Sequence, residues 1–352
     1  AVMPGSKGLS SMNWDKAVEI GQALLLSPLF GCAVAIVFMY ILRKTVSNKQ
    51  IFKEPAKDAP PPMWIRAVLF MTCTMVSFFH GRNDGQKGIG LMMIVLIAFL
   101  PGYFAINNEV DPFKLQEDVG KVSAIVSKID TTKLSITEKE SYNKVLTGAA
   151  GMIDVFEHHT DNAKGLTKEE RSEIRKGVLT MTKHAKKLVE SDAITLLPED
   201  IKELKKLTQA PKAPFFSYGN NNKGLTGLTD YAPNWVMWLI ALSLGLGTMI
   251  GWKRIVVTVG EKIGKQHLTY AQGASAELVA SITIGLATVY KWPVSTTHVL
   301  SSGIAGSMIA SKGVKNLQGG TVKNILMAWV LTLPVTIFVS ATLFVFLRWL
   351  TD

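Results

Sequence analysis

Five stretches of this chain, residues 21–42, 88–106, 235–252, 292–311 and 324–347, run for 18 to 24 residues without a charged side chain. A helix rises about 1.5 Å per residue, so each matches a hydrocarbon core of about 30 Å. A sixth run, 268–290, is broken only by Glu277, and a shorter one, 67–80, carries no charge before His80. In a bilayer every backbone polar group must be satisfied within the segment, which leaves helices as the way to use such runs. The expectation is an all-α polytopic membrane protein with the lipid bilayer as its partner. A soluble enzyme, a disulfide-rich secreted domain and a nucleic-acid binder are excluded, because none needs six or seven such runs.

Charge sorts the chain into parts. Only 18% of residues are charged, against roughly 25% in soluble chains. Residues 107–231 hold 19 acidic and 19 basic side chains, while the other 227 residues hold 8 acidic and 19 basic, so the whole net charge of +11 lies outside 107–231. Positive loops stay cytoplasmic. This assigns 43–66 (Arg43, Lys44, Lys49, Lys53, Lys57, Arg66), 253–265 (Lys253, Arg254, Lys262, Lys265) and the loop with Lys312, Lys315 and Lys323 to the inside. Residues 107–231 then lie outside as a hydrophilic insertion between 1–106 and 232–352.

The insertion reads as mostly helical, with apolar spacing over 119–130, 142–157 and 171–189, loops near Pro198, Pro211 and Pro214, and a Gly- and Asn-rich linker over 216–230. Glu157, His158, His159 and His184 are better read as a solvated helical face than as a metal site. Cys32 and Cys73 both fall in apolar runs and behave as small hydrophobes.

The orientation requires an odd number of crossings between 66 and 107. The 14 residues of 67–80 reach only about 21 Å as helix, and H-G-R-N-D-G-Q-K follows. This predicts a broken span or a re-entrant arm, with polar backbone facing protein or a water-filled cavity. Asn83 and Asp84 are the first chemical candidates. A carboxylate between membrane segments is costly without partners, and beside an Asn carbonyl it suits a proton or a small hard cation. Gln86 and Lys87 are accessory candidates. The second constellation is W-P-V-S-T-T-H. Pro followed by Ser295, Thr296 and Thr297 reads as a helix start, whose free N–H groups and dipole favour an anion. His298, beside it, can donate to an anion, relay a proton or make a structural bond. Third, Glu277 lies mid-run and should face the bundle interior, as a coupling-ion carrier or a structural partner.

A weak internal repeat accompanies these motifs: Pro28 precedes Arg43 by fifteen residues and Pro334 precedes Arg348 by fourteen, in runs of opposite direction under the orientation above. That is the pattern of an inverted repeat, and it predicts that residues 1–42 finish a first repeat whose beginning precedes Ala1.

Residues Ser77–Ile97, G-T-M-I-G-W-K-R (Gly247–Arg254), G-E-K-I-G-K (Gly260–Lys265), T-Y-A-Q-G (Thr269–Gly273) and P-V-S-T-T-H-V-L-S-S (Pro293–Ser302) closely resemble the inorganic phosphate transporter family, in its bacterial low-affinity branch. The resemblance runs from about residue 20 to the end and is weakest over 107–231. It implies an inverted-repeat secondary transporter in the bacterial inner membrane, with no enzymatic activity and no bound cofactor. Inorganic phosphate would cross by alternating access with a coupling cation, protons in this branch or sodium elsewhere, and a divalent metal would travel as cargo with phosphate. Carried over, Ser295, Thr296, Thr297 and Asn83 would bind phosphate, Asp84, Asn83 and Glu277 the coupling ion, and only the second copy of each motif is present. Arg82 stands where the family usually has a small residue; it would add phosphate affinity or reach water. A homo-oligomer is compatible with this reading. Its rivals are a sulfate or other oxyanion carrier on the same scaffold, a membrane phosphatase using His298 and Asp84, and a receptor whose 107–231 segment does the binding.

Overall fold

The computed structural model describes residues 14–55, 60–158, 166–191, 194, 196–209, 224–290 and 292–351. Lys57, His159, Pro211, Pro214 and positions 216–223 of the expected linker lie outside the described residues. In chain order the α-helices are α1 (Trp14–Thr45), α2 (Met63–Phe99), α3 (Pro101–Phe104), α4 (Gln116–Ser127), α5 (Ile136–His158), α6 (Lys168–Val189), α7 (Pro198–Thr208), α8 (Leu225–Thr229), α9 (Asn234–Glu261), α10 (Tyr270–Tyr290), α11 (Thr296–Lys312) and α12 (Gly319–Thr351). Extended pairing among the described residues is a single bridge between Gly264 and Leu317. By length and composition, α1, α2, α9, α10 and α12 are each able to cross a membrane. The chain divides at 84/85 and 242/243 into two compact units.

In the unit over 85–242, α4 to α7 are amphipathic. Val119, Val122 and Val126 of α4, Val145, Ala149, Met152 and Phe156 of α5, and Ile174, Val178, Met181 and Leu188 of α6 recur at helical spacing and close one apolar core. Helix α6 starts on a capping box, Thr167 with Glu170, with Glu169 and Glu170 in its first turn and Lys186 and Lys187 in its last, as the dipole favours. Pro198, expected in a loop, instead opens α7, where its missing N–H costs nothing. Residues 225–229, expected in a linker, form α8, because Leu225 and Leu228 plug the core at 0% and 1% exposure. Gly224 precedes it at φ 66°, a left-handed conformation that a side chain would strain.

The other unit packs α1, α10 and α11 together. A Cβ on Gly306 of α11 would lie 2.4 Å from the Cys32 carbonyl of α1, so the two backbones touch where only glycine fits. Gly31 meets Ser302 and Val299 in the same seam, and Arg43 donates to the Ala310 and Ser311 carbonyls at the end of α11. These pairs rise together in number, so α1 and α11 run parallel. Pro28 and Pro334 both sit inside unbroken helices.

Two expectations about the apolar runs are corrected. Runs 67–80 and 88–106 are not separate arms, and H-G-R-N-D-G-Q-K does not break the chain: α2 is continuous for 37 residues. Each glycine costs a helix about 1 kcal/mol, but a break inside an apolar segment would leave several backbone groups unpaired at greater cost. The stop comes at Leu100, ahead of Pro101. The broken element lies instead between α10 and α11. The run 292–311 becomes α11, 17 residues or about 26 Å long, with Val299, Ser302, Ile304, Gly306 and Met308 buried.

Candidate functional site

On α2, His80, Asn83 and Asp84 share one side, being three and four residues apart. His80 Nε2 lies 2.9 Å from Asp84 Oδ2. From 212 residues away, the Thr296 hydroxyl approaches the same carboxylate at 3.4 and 3.5 Å, the long end of hydrogen bonding. Asn83 is 6% exposed and its Nδ2 donates to Thr288 Oγ1 of α10 at 3.2 Å. The residues of α2 expected to carry a charge or a cation are thus tied to both sides of the gap between α10 and α11.

The gap is built by its sequence. Helix α10 ends at Tyr290, Trp292 N–H closes back on the Ala287 carbonyl, and Pro293 cannot extend a helix hydrogen-bond ladder. Ser295 is extended (φ −91°, ψ 115°) and caps α11, accepting from His298 N–H at 3.4 Å, while its carbonyl takes Val299 N–H. The cap leaves the N–H groups of Thr296 and Thr297 without acceptors inside the helix. Together with the dipole they form the donor end of the site, next to Asp84.

Glu277 occupies a second level. Half-buried, it accepts from the Thr72 hydroxyl at 2.6 Å. The pairs Thr72–Glu277 and Asn83–Thr288 have the same sequence separation, 205. Helices α2 and α10 therefore run parallel in register, and the two polar pairs lie eleven residues, or about 16 Å, apart along them. Glu277 does not join Asp84.

The remaining expected residues separate. Thr296 is 3% exposed, whereas Thr297 points outward. His298 packs at a tilt against Trp329 of α12 with centroids 4.1 Å apart and lies against the Leu24 backbone, between α1 and α12. Arg82 is buried at 4%, which removes the reading in which it reaches water. Gln86 and Lys87 are exposed residues of α2 in the other unit. Three residues were missed: His80, Thr288 and Thr72. The i, i+4 spacing from His80 to Asp84 was legible; the other two depend on the α2–α10 register.

In the charged unit, the His158 ring bonds the Asp154 carbonyl, and His184 Nδ1 lies 3.0 Å from Ser141 Oγ in the core. Among the described residues no three His, Cys, Asp or Glu side chains gather as metal ligands.

Comparison with known proteins gives a consistent family. A sequence model of the Phosphate transporter family matches residues 1–340. The low-affinity inorganic phosphate transporter of Buchnera aphidicola subsp. Acyrthosiphon pisum (strain APS) is 34% identical, covering 98% of this chain and 71% of its own. The low-affinity inorganic phosphate transporters PitA and PitB of Escherichia coli (strain K12) are 34% and 32% identical, each over 98% of this chain and 72% of theirs. No solved structure matches.

Proposed function

The chain belongs to the phosphate transporter family, and we propose that it carries inorganic phosphate with protons by alternating access. It is a multi-pass membrane transporter of the bacterial inner-membrane type, not an enzyme. The approach of Thr296 at the start of α11 to Asp84 of α2 carries the proposal, because it brings an anion-binding helix start and an ionisable carboxylate to one place.

Phosphate oxygens accept from the N–H groups of Thr296 and Thr297 and from the hydroxyls of Ser295 and Thr296, aided by the α11 dipole. Asp84 holds the coupling proton, and His80, 2.9 Å from it, is its exchange partner. Glu277 with Thr72 provides a second acid along the same α2–α10 face. Moving cation and anion together lowers the cost of carrying phosphate charge through a low-dielectric region. A divalent metal is cargo with phosphate on this reading, and sodium the alternative coupling ion. Rocking of one repeat against the other would alternate access.

The parallel pairs support an orientation. With Arg43 and Lys312 at the cytoplasmic ends of α1 and α11, those helices run inward, and α2 and α10 run outward. On this reading a single outward α2 supplies the odd crossing, with 107–231 outside.

The test is uptake of labelled phosphate into proteoliposomes under an inward proton gradient. Wild type should accumulate phosphate, and Asp84→Asn should lose at least about a hundredfold of gradient-driven uptake while remaining folded. Full gradient-driven uptake by Asp84→Asn would remove Asp84 from coupling.

A further inference from the structure

A buried hydrogen-bond chain fixes which end of the Asn83 amide is available. Thr288 Oγ1 has one hydrogen and donates it to the Ile284 carbonyl at 2.8 Å, one turn back on α10. The same oxygen lies 3.2 Å from the Asn83 amide, and with its hydrogen already placed it can only accept. Asn83 turns its NH₂ toward Thr288, the orientation that pairs with a Thr288 hydroxyl whose hydrogen is on the Ile284 carbonyl. Its Oδ1 is left buried and without a partner among the described residues, in a side chain 94% removed from solvent. Such an acceptor is costly unless something donates to it.

That acceptor lies one residue from Asp84, whose carboxylate meets the first hydroxyl of α11. Brought into one anion site, the two groups would form chemically different ends. The start of α11 offers N–H donors to ionised oxygens, and the Asn83 oxygen offers only a lone pair. Tetrahedral oxyanions divide on this point. Phosphate and arsenate keep at least one proton at neutral pH and can present an O–H. Sulfate and molybdate keep none, so an oxygen of theirs facing Asn83 Oδ1 would be an acceptor against an acceptor. A helix start alone does not make this distinction.

We infer that the Ile284–Thr288–Asn83 chain makes Asn83 Oδ1 an obligate acceptor for the hydroxyl of a protonated tetrahedral oxyanion, with Thr288 as the positioning residue that sets selectivity for phosphate over sulfate. The inference rests on the phosphate-transport reading above and deepens it by naming the protonation state the site takes. A site that keeps a buried polar group for one ligand rejects analogues that leave the group unpaired far more strongly than an apolar pocket rejects a change of size.

The experiment is competition against labelled phosphate uptake in proteoliposomes at neutral pH by arsenate, sulfate and molybdate, for wild type, Thr288→Ser and Thr288→Val. In wild type arsenate should compete and the two unprotonated anions should not, even at about a hundredfold excess. Thr288→Ser keeps the hydroxyl and should keep that ranking. Thr288→Val releases the amide, and the ratio of sulfate to arsenate inhibition constants should fall about tenfold or more. Should the valine variant not accumulate, Thr288→Ala removes the hydroxyl without added bulk and is read in the same way. Equal competition by sulfate and arsenate in wild type, or an unchanged ratio in a transporting variant without the hydroxyl, overturns the inference while leaving phosphate transport standing. Failure of the wild type to move phosphate or arsenate removes the transport reading, and the inference with it.

Discussion

Val178 of α6 and Phe338 of α12 are both apolar residues in the middle of long helices, yet Val178 is 1% exposed and Phe338 72%. The contrast holds along both elements. In α4 to α7 Val, Leu, Ile and Met face inward and charges face out. Helices α10 and α11 mix the two: Gln272, Ser275, Ser281, Thr288, Thr296, Ser301, Ser302 and Ser307 are buried beside Val279, Ile284, Val299 and Ile304, while Ile282, Leu286 and Tyr290 are exposed. Water rewards burial of apolar surface. Lipid gives no such reward, so helices there associate through close backbones and hydrogen bonds between small polar side chains. The two regions apply the same helix to different solvents.

Glycine at a helix crossing exposes the difference first. In the α1–α11 seam nothing flexible stands between the backbones, since a Cβ on Gly306 would lie 2.4 Å from the Cys32 carbonyl and 3.0 Å from its carbonyl carbon. Gly306→Leu should therefore separate α1 from α11 and abolish accumulation of folded protein, as followed by monodisperse yield in detergent. A normal yield with unchanged melting would show that the seam does not hold the unit together.

A charge placed on an exposed apolar residue tests the solvents themselves. Phe338→Lys removes no buried contact, yet mid-helix in a bilayer it should cost about 2.5–3.5 kcal/mol of insertion. Ile136, 88% exposed at the start of α5, should accept the same replacement within about 0.5 kcal/mol. Membrane-integrated yield of the two variants compares them directly. Equal yields would sink the assignment of α12 to the lipid.

The same contrast explains what the sequence made legible. The amphipathic period in 119–130, 142–157 and 171–189 located α4, α5 and α6, because there polar and apolar residues report inside and outside. In α2 that signal is missing: both faces are apolar, and N-D-G read as a turn, since turn propensities describe backbone that water can solvate. Asn83, Asp84, Ser295 and Thr296 were legible because their chemistry is anomalous in an apolar setting. Thr72 and Thr288 were not, because a threonine in a membrane helix is ordinary until the register of α2 on α10 gives it a partner.

Gly177 of α6 gives a milder counterpart to Gly306. A Cβ there would meet Met152 Cγ at 2.6 Å and the Gly148 carbonyl at 3.1 Å. Methionine has three rotatable bonds and can move aside, and the carbonyl needs to give only a few tenths of an ångström. Gly177→Ala also gains helix propensity of about 1 kcal/mol, which offsets part of an overpacking cost of about 1–3 kcal/mol. The expected net loss is about 1 kcal/mol, read as slightly faster amide exchange in α5 and α6. A loss as complete as that of Gly306→Leu would erase the distinction between a seam of backbones and a core of side chains.

The smallest expected effect is confined to a pH window. His184 is buried between α5 and α6, and burial first, then Lys144, Lys187 and Lys183, hold its pKa below the usual histidine value, with Glu140 acting weakly in the other direction. The unfolded chain therefore binds this proton more readily than the folded one. Stability from a neutral His184 is fully present above the ordinary histidine pKa of about 6.5. It is lost as pH falls below that value, and the loss levels off once the depressed native pKa is passed. In the intact chain, amide exchange in α5 and α6 should quicken with acid over this range beyond its intrinsic pH dependence. His184→Gln, which keeps a polar partner for Ser141 but does not titrate there, should flatten that excess. An identical acid response in the glutamine variant would assign the pH sensitivity of this bundle to its carboxylates, among them Glu138, which Ser191 and Ser135 hold below the usual carboxylate range.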